Sequence, residues 1–253
     1  MLSKEHAINR WQLEEKQGFT GWDFSHLNGR WEVSETPWNV AEIVKGSLRP
    51  TDELLDMGTG GGEFLLSLAH PFNQTAVTEG WLPNYELLRR RLVPLGVQVQ
   101  LVGEDDQLHF PDAKFDLVFN RHESFDEREV WRVLKPGGLF ITQQVGAGNN
   151  RRLRQLINSN KTMMFSEVNL THMSEALCQQ GFELLMSEKV TLPFAFLDVG
   201  AFVYYAKVIP WEFPNFTVET HVEILWQLER EVRETGKIAS SEERFLLVAK
   251  KKK

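Results

Sequence analysis

Glu53-Leu54-Leu55-Asp56-Met57-Gly58-Thr59-Gly60-Gly61-Gly62-Glu63-Phe64-Leu65-Leu66 runs from an apolar strand pattern through an acidic residue into a glycine cluster, and out into a helix pattern. Glycines at 58, 60 and 62 open backbone conformations closed to other residues, and their missing Cβ atoms let a ligand lie against the main chain. The spacing is Gly-x-Gly-x-Gly, and Glu63 stands where a dinucleotide fingerprint wants its last Gly or Ala. A carboxylate at the start of a helix repels a pyrophosphate at the point where the helix dipole should attract it. The turn therefore predicts a nucleoside ligand that lacks phosphates and carries positive charge.

Strand and helix patterns alternate outward from this turn. Strands are expected at 52–57, 75–79, 97–102, 115–120 and 139–145, with helices at 62–70, 84–92 and 126–134 between them. Short apolar strands alternating with helices predict a parallel sheet buried on both faces, with its ligand site at the carboxyl ends of the strands. Upstream lie Trp11, Trp22, Trp31 and Trp38, with a helix expected at 4–17 and another at 38–48. Downstream, helices are expected at 151–158 and 166–180, the second closed by Gly181, followed by a sixth strand at 183–191. A last strand is expected at 244–249. The aromatic stretch 193–218 and a helix at 220–234 interrupt the hairpin between those two strands.

The organisation expected is thus an N-terminal helical and aromatic segment at 1–50, a core at 51–192 and 243–253, and an inserted cap at 193–242 that closes over the cleft together with the N-terminal segment. Residues Phe196, Tyr204 and Trp211 are the expected shapers of an acceptor pocket. The terminal 250–253 reads as a solvated lysine tail.

The 253 residues carry Lys+Arg 28 against Asp+Glu 35, a formal charge of −7, which disfavours a dedicated nucleic-acid binder. The single cysteine, Cys178, cannot form an internal disulfide and is expected to be a buried apolar thiol. The N-terminus lacks a signal-peptide core, and the apolar run at 194–205 is too short to span a bilayer, so a cytoplasmic location without membrane insertion is expected. The seven histidines include no His-x-x-x-His pair, and no Gly-x-Ser-x-Gly elbow occurs. No metal site is expected. The oligomeric state stays open.

Three further segments complete a family pattern. Gly103-Glu104-Asp105-Asp106-Gln107-Leu108-His109-Phe110-Pro111 is an acidic loop after the third strand; Phe115-Asp116-Leu117-Val118-Phe119-Asn120-Arg121-His122-Glu123 is the fourth strand and its end; Arg132-Val133-Leu134-Lys135-Pro136-Gly137-Gly138-Leu139 is a helix-to-strand turn. With the glycine turn, these resemble the class I S-adenosylmethionine-dependent methyltransferases over roughly 52–145, closest to the small-molecule group related to ubiquinone/menaquinone-biosynthesis methyltransferases.

The resemblance implies an α/β, Rossmann-like, doubly wound, mostly parallel seven-stranded sheet, with S-adenosyl-L-methionine as cofactor and S-adenosyl-L-homocysteine as product. It implies that Asp56 holds the methionine part, beside Gly58, Thr59, Gly60 and Gly62. Glu79 would accept the ribose hydroxyl protons, as a carboxylate at the end of a second strand can. Trp81 would stand by the sugar or adenine, or lie in the core. Glu104 and Asp105 compete for the adenine amino group, because Glu104 aligns with the family's usual Asp and His109 replaces its proline. The end of the fourth strand, with Asn120, would face the methyl group, and Arg121 and His122 are the nearest candidates for substrate contact. His122 is a weak candidate for a base.

The chain lacks the Asn/Asp-Pro-Pro-aromatic motif of many amino-methylating nucleic-acid enzymes. The leading expectation is methyl transfer to a small or medium-sized, partly apolar acceptor. An RNA methyltransferase is the alternative if Arg151, Arg152 and Arg154 join a basic groove at the cleft. An NAD(P)-dependent oxidoreductase and a cofactor-binding regulator without turnover are the others.

Overall fold

The computed structural model describes residues 4–103, 106–158 and 168–252. Helix α1 (Lys4–Glu15), strand β1 (Trp31–Val33) and helix α2 (Val40–Ser47) precede the glycine turn. The alternating core follows as β2 (Leu54–Met57), α3 (Glu63–Leu68), β3 (Thr75–Glu79), α4 (Leu82–Leu92), β4 (Gln98–Leu101), β5 (Phe115–Arg121), α5 (Glu127–Val133) and β6 (Leu134–Val145). The remainder is α6 (Arg151–Asn158), α7 (Leu170–Gln180), β7 (Phe182–Phe196), α8 (Val199–Val208), α9 (Val222–Thr235) and β8 (Ile238–Lys251).

All eight strands join one sheet in the order β1-β7-β8-β6-β5-β2-β3-β4. Strands β4, β3, β2, β5 and β6 are parallel, whereas β8, β7 and β1 run antiparallel to their neighbours. Every residue of β2 and β3 is buried, as a strand covered by helices on both faces requires. The chain order reverses at β2, which pairs with β3 on one side and β5 on the other. A crevice opens at the carboxyl ends at such a point, and the glycine turn leaves β2 directly into it. Strand β6 begins at Leu134, ahead of the expected 139, and takes 135–138 into an irregularity of its ladder with β5, where a Cβ on Gly138 would lie 2.9 Å from the Lys135 carbonyl oxygen and 3.1 Å from that of Asp116. Glycine is needed there for packing.

The sheet has eight strands where seven were expected. The additional one, β1, is a three-residue stretch whose alternation is too short to read, and its register Trp31↔Phe196 to Val33↔Phe194 places it on the outer edge of β7. Strands β7 and β8 also outrun their expected bounds, pairing from Phe182↔Lys251 to Phe196↔Ile238. Residues 193–196 and 238–242, read as cap, are therefore strand. Lys250 and Lys251 belong to β8 and are no solvated tail: the Lys251 Nζ donates to the Trp131 and Leu134 carbonyl oxygens and lies 4.9 Å from the Trp131 ring centroid. Cys178 is exposed on α7, not buried as expected, because the buried position of that turn goes to Leu177.

Helix α8 was not foreseen within the aromatic stretch. It is apolar all round, and its residues 199–206 are buried. Asp198 caps it by accepting the Ala201 N–H at 2.8 Å, and the same carboxylate is bound by the Arg30 guanidinium at 2.7 and 2.9 Å. Arg30 also pairs with Glu14 of α1 at 2.9 Å. The N-terminal segment and the insertion consequently share one apolar cluster that includes Trp11, Leu27, Phe196, Phe202, Leu225 and Ile238. The sheet is flanked by two others. No helix among the described residues is long and apolar enough to cross a membrane.

Candidate active site

The glycine turn is held from below by β3. Gly58 and Thr59 donate their backbone N–H groups to the Thr78 carbonyl oxygen at 3.0 and 3.3 Å. Gly58, Gly60 and Gly62 all have φ between +63° and +82°, so the spacing reflects a real conformational need. The space where each Cβ would stand is filled by another side chain. Glu123 lies over Gly58, Trp22 Cδ1 is 3.2 Å from the Cβ position of Gly60, Glu63 folds back over Gly61, and Leu88 and Leu92 pack on Gly62. Glu63 is paired with Arg91, whose Nη1 also donates to the Gly61 carbonyl oxygen at 2.7 Å. Its charge is thus partly neutralised, and what Glu63 denies an anion at α3 is space as well as field.

Asp56 and Glu79 meet at this turn, as the sequence predicts. Asp56 is buried, and its Oδ2 accepts the Thr59 hydroxyl at 2.6 Å. Burial, with Glu79 nearby, raises its pKa to about 7 against the opposing effects of Thr59 and Arg121. Glu79 accepts the Gly60 N–H at 2.9 Å with one oxygen and the Trp81 N–H at 3.0 Å with the other. Its pKa is also raised by burial. The Asn84 side chain and the Gly80 N–H also act on this carboxylate, which leaves it acceptor capacity for a ligand hydroxyl beyond the turn's own donors. Trp81 itself is 43% exposed, which removes the core reading and leaves its ring at the carboxyl end of β3. Glu104 and Asp105 lie outside the described residues.

At the end of β5, Asn120 sits opposite Met57 and is fully buried. Its Oδ1 accepts from Gln144 Nε2 at 2.6 Å and from the Thr142 hydroxyl at 3.0 Å, while its Nδ2 has no hydrogen-bond partner among the described residues. Asn84 of α4 is also fully buried, and its side chain lies close enough to Glu79 to hold that carboxyl's pKa down against burial. Buried amide atoms without partners are rare, and each calls for a water or a bound group to satisfy it. Arg121 stacks on Phe64, 4.5 Å from the ring centroid, and its charge faces Asp56. His122 adopts φ 62° and donates its backbone N–H to the Gln143 carbonyl oxygen at 2.9 Å. Its ring keeps an exposed edge, yet desolvation and the positive fields of Arg244 and Arg121 hold its pKa well below the ordinary value. It is neutral at pH 7 and a weak base.

Nothing in the sequence singles out Glu123, two residues beyond the end of β5. Burial, with Glu79 and Asp106 close by, raises its pKa to about 7. A carboxylate one residue beyond two polar candidates carries no periodic signal; only the fold back onto Gly58 reveals it.

The raised carboxyls have a measurable consequence. Between about pH 4 and 7 the folded chain holds protons on Asp56 and Glu123 that the unfolded chain releases, so their stabilising contribution fades as pH rises through about 7. His122, its pKa lowered by burial and by Arg244 and Arg121, acts in the opposite sense below about pH 6.5, where the unfolded imidazole binds a proton more readily than the folded one. The unliganded protein should therefore gain roughly 1 kcal/mol of stability from pH 8 to 6.5, and about 2 kcal/mol more on going down to pH 5, because two raised carboxyls outweigh one histidine, in denaturant melts. Stability that falls over the same interval would show the carboxyls to be ordinary.

Among the described residues, no group of three or more His, Cys, Asp or Glu side chains is placed to hold a metal ion. Of the arginines proposed for a basic groove, Arg152 is paired with Glu231, and Arg154 is buried against the Ala147 and Asn149 carbonyl oxygens at 2.9 and 3.3 Å. The expected acceptor-shaping residues separate likewise: Phe196 and Tyr204 are buried in the apolar cluster, while Trp211 is 36% exposed with its ring 5.7 Å from that of Trp22.

Residues 55–142 match the family described as "Methyltransferase domain". The chain is 32% identical over 114 residues to a ubiquinone/menaquinone biosynthesis C-methyltransferase of Cupriavidus metallidurans, covering 40% of this chain and 46% of that protein. It is 32% identical over 142 residues to a demethylmenaquinone methyltransferase of Symbiobacterium thermophilum, covering 50% and 54%. The chain thus spans about half the length of the curated relatives it matches. Among solved structures, a candidate methyltransferase of Bacillus halodurans superposes with a TM-score of 0.56 at 20% identity, over 85% of this chain and 99% of that one. Phosphoethanolamine N-methyltransferase 2 of Haemonchus contortus, solved with S-adenosyl-L-methionine, gives 0.53 at 13% identity, over 99% and 58%. Those likenesses confirm the fold. Residues 55–142, with the glycine turn, Asp56, Glu79 and Asn120 among them, match a methyltransferase domain and lie in a Rossmann-like fold shared with solved methyltransferases.

Proposed function

We propose that the protein transfers a methyl group from S-adenosyl-L-methionine to a small or medium-sized, partly apolar acceptor, in a cytoplasmic setting. The observation that carries this reading is the convergence of Asp56, Glu79 and Glu123 on the glycine turn at the point where strand order reverses. Three carboxyls facing a turn closed at its far end by Glu63 suit a cationic nucleoside and oppose a pyrophosphate. In this reading Asp56 holds the ammonium group, Glu79 the ribose hydroxyls, and Asn120 a polar atom of the amino-acid part. Trp81 flanks the ring system, and Glu104 or Asp105 would hold the adenine amino group.

When bound, the cofactor supplies an electrophilic methyl on sulfur. The chain's own task is to orient the acceptor and exclude water, which can itself supply several kcal/mol of rate. Trp22 over Gly60 and Trp211 beside it form the apolar wall for that purpose, and this is the cap role of the N-terminal segment and the insertion. The paired Arg152 and buried Arg154 speak against a polyanionic acceptor. The relatives named for ubiquinone/menaquinone biosynthesis support an apolar one.

The test is methyl transfer from labelled cofactor into a metabolite extract. Label should enter a small, partly apolar product and not RNA, and both adenosyl compounds should bind while NAD and NADP do not. Binding without transfer would leave a regulator. Once the acceptor is identified, Trp211→Ala should raise its KM about tenfold while changing cofactor Kd less than about twofold, because a partly exposed aromatic ring on the wall is free to cover the acceptor and lies off the strand ends that hold the cofactor. An unchanged KM would place the acceptor elsewhere.

A further inference from the structure

We propose that Glu123 is the residue by which this site distinguishes the positively charged cofactor from the neutral thioether left after transfer. The inference rests on the reading of the turn as an adenosyl-sulfonium seat, and it concerns a side chain to which that reading gives no separate role.

The geometry is specific. Glu123 occupies the space vacated by the missing side chain of Gly58: its Cβ, Cγ and Oε2 stand 2.5, 2.7 and 2.8 Å from where a Cβ on residue 58 would be. Gly58 is therefore glycine in order to admit the carboxylate as well as to turn the chain. Two devices bring Glu123 back over β2. His122 takes a left-handed conformation, uncommon for a residue with a Cβ, which reverses the chain just past β5. The Gln144 Nε2, which also grips Asn120, donates to the Glu123 carbonyl oxygen at 3.0 Å and fixes the bend.

Its electrostatic position differs from that of its neighbours. Asp56 faces Arg121 and holds the Thr59 hydroxyl, and Glu79 is bound by two backbone N–H groups. Glu123 is surrounded by like charge from Glu79 and Asp106, with the Ser124 backbone N–H as its compensating donor. A partly desolvated carboxylate of that kind gains most from an incoming cation. The unpaired Nδ2 of Asn120, on the same strand end, is a second polar group left for a ligand at this point.

The substrate and product forms of the cofactor share adenine, ribose, ammonium and carboxylate groups and differ by one methyl and one charge at sulfur. Contacts made by Asp56 and Glu79 serve both forms alike. A carboxylate reaching the turn from the β5 side is placed to sense the charge that is lost, and loss of that charge loosens the product.

Calorimetry on the full chain at pH 8 tests this with S-adenosylmethionine and S-adenosylhomocysteine as probes. Glu123→Gln should weaken S-adenosylmethionine about tenfold and S-adenosylhomocysteine by less than about twofold, as expected for loss of one partly screened charge pair. Glu123→Ala, which leaves Gly58 open, should show the same selective loss, whereas Glu123→Asp should keep most of the preference. Equal losses for both ligands, or none, would overturn the proposal and reduce Glu123 to a support for the turn. A wild-type protein that binds both equally would overturn it while leaving the adenosyl reading in place; one that binds neither would overturn both.

Discussion

Trp11→Ala should lower the unfolding free energy by about 3–5 kcal/mol and the melting temperature by roughly 10 °C. Trp11 is 1% exposed, and its indole lies 5.1 Å from that of Trp226, so the N-terminal helix and the inserted helix α9 are joined through this pair. Truncation leaves a cavity that neither helix can close alone, because α1 is also tethered to α8 through Glu14, Arg30 and Asp198. The loss should appear in thermal and denaturant melts, with cofactor affinity less affected than stability because the strand ends of β2 and β3 are not in that cluster. A shift below about 2 °C would show that α1 is an accessory to the fold and does not belong to its core.

Glu79→Ala is expected to have the opposite profile: a large effect on ligand affinity and a small one on stability. The carboxylate is buried at a desolvation cost visible in its raised pKa, so its removal relieves one penalty while leaving the Gly60 and Trp81 N–H groups without their acceptor. These terms offset each other within about 1 kcal/mol in the folded protein. For an adenosyl ligand no offset exists. The ribose contact and the shape of the turn are lost together, giving about 2–3 kcal/mol, or roughly 30- to 150-fold in Kd. Calorimetry with S-adenosylhomocysteine reads this directly, and unchanged affinity would remove Glu79 from the ribose.

The half of the molecule that alternates strand and helix was legible because its signals are local. Gly58, Gly60 and Gly62 need positive φ, and Asp56 and Glu79 end apolar runs; each is written in a few consecutive residues, whereas Pro136-Gly137-Gly138, which reads as a turn, lies within β6. What escaped depends on contacts distant in sequence. Strand β1 exists because β7 offers it an edge, and Phe196 and Tyr204 are core because α1 and α9 cover them. Lys250 and Lys251 look like a tail in sequence and are strand because β6 and β7 lie on either side. Glu123 becomes part of the site only through the bend at His122.

The chain leaves the sheet at Phe196 and returns at Ile238, and these two residues are paired neighbours across the β7–β8 ladder. A segment whose two ends are already held side by side can change in length or content at small entropic expense, since the hairpin has fixed its closure. On the proposed cap role, substrate preference would therefore drift through the positions of this segment that face the cleft, such as Trp211, while the faces of α8 and α9 that bury α1 are kept. For engineering, the rung Phe196–Ile238 is a natural graft point: a foreign helical pair of matching span that preserves those buried faces would offer the site a new clientele.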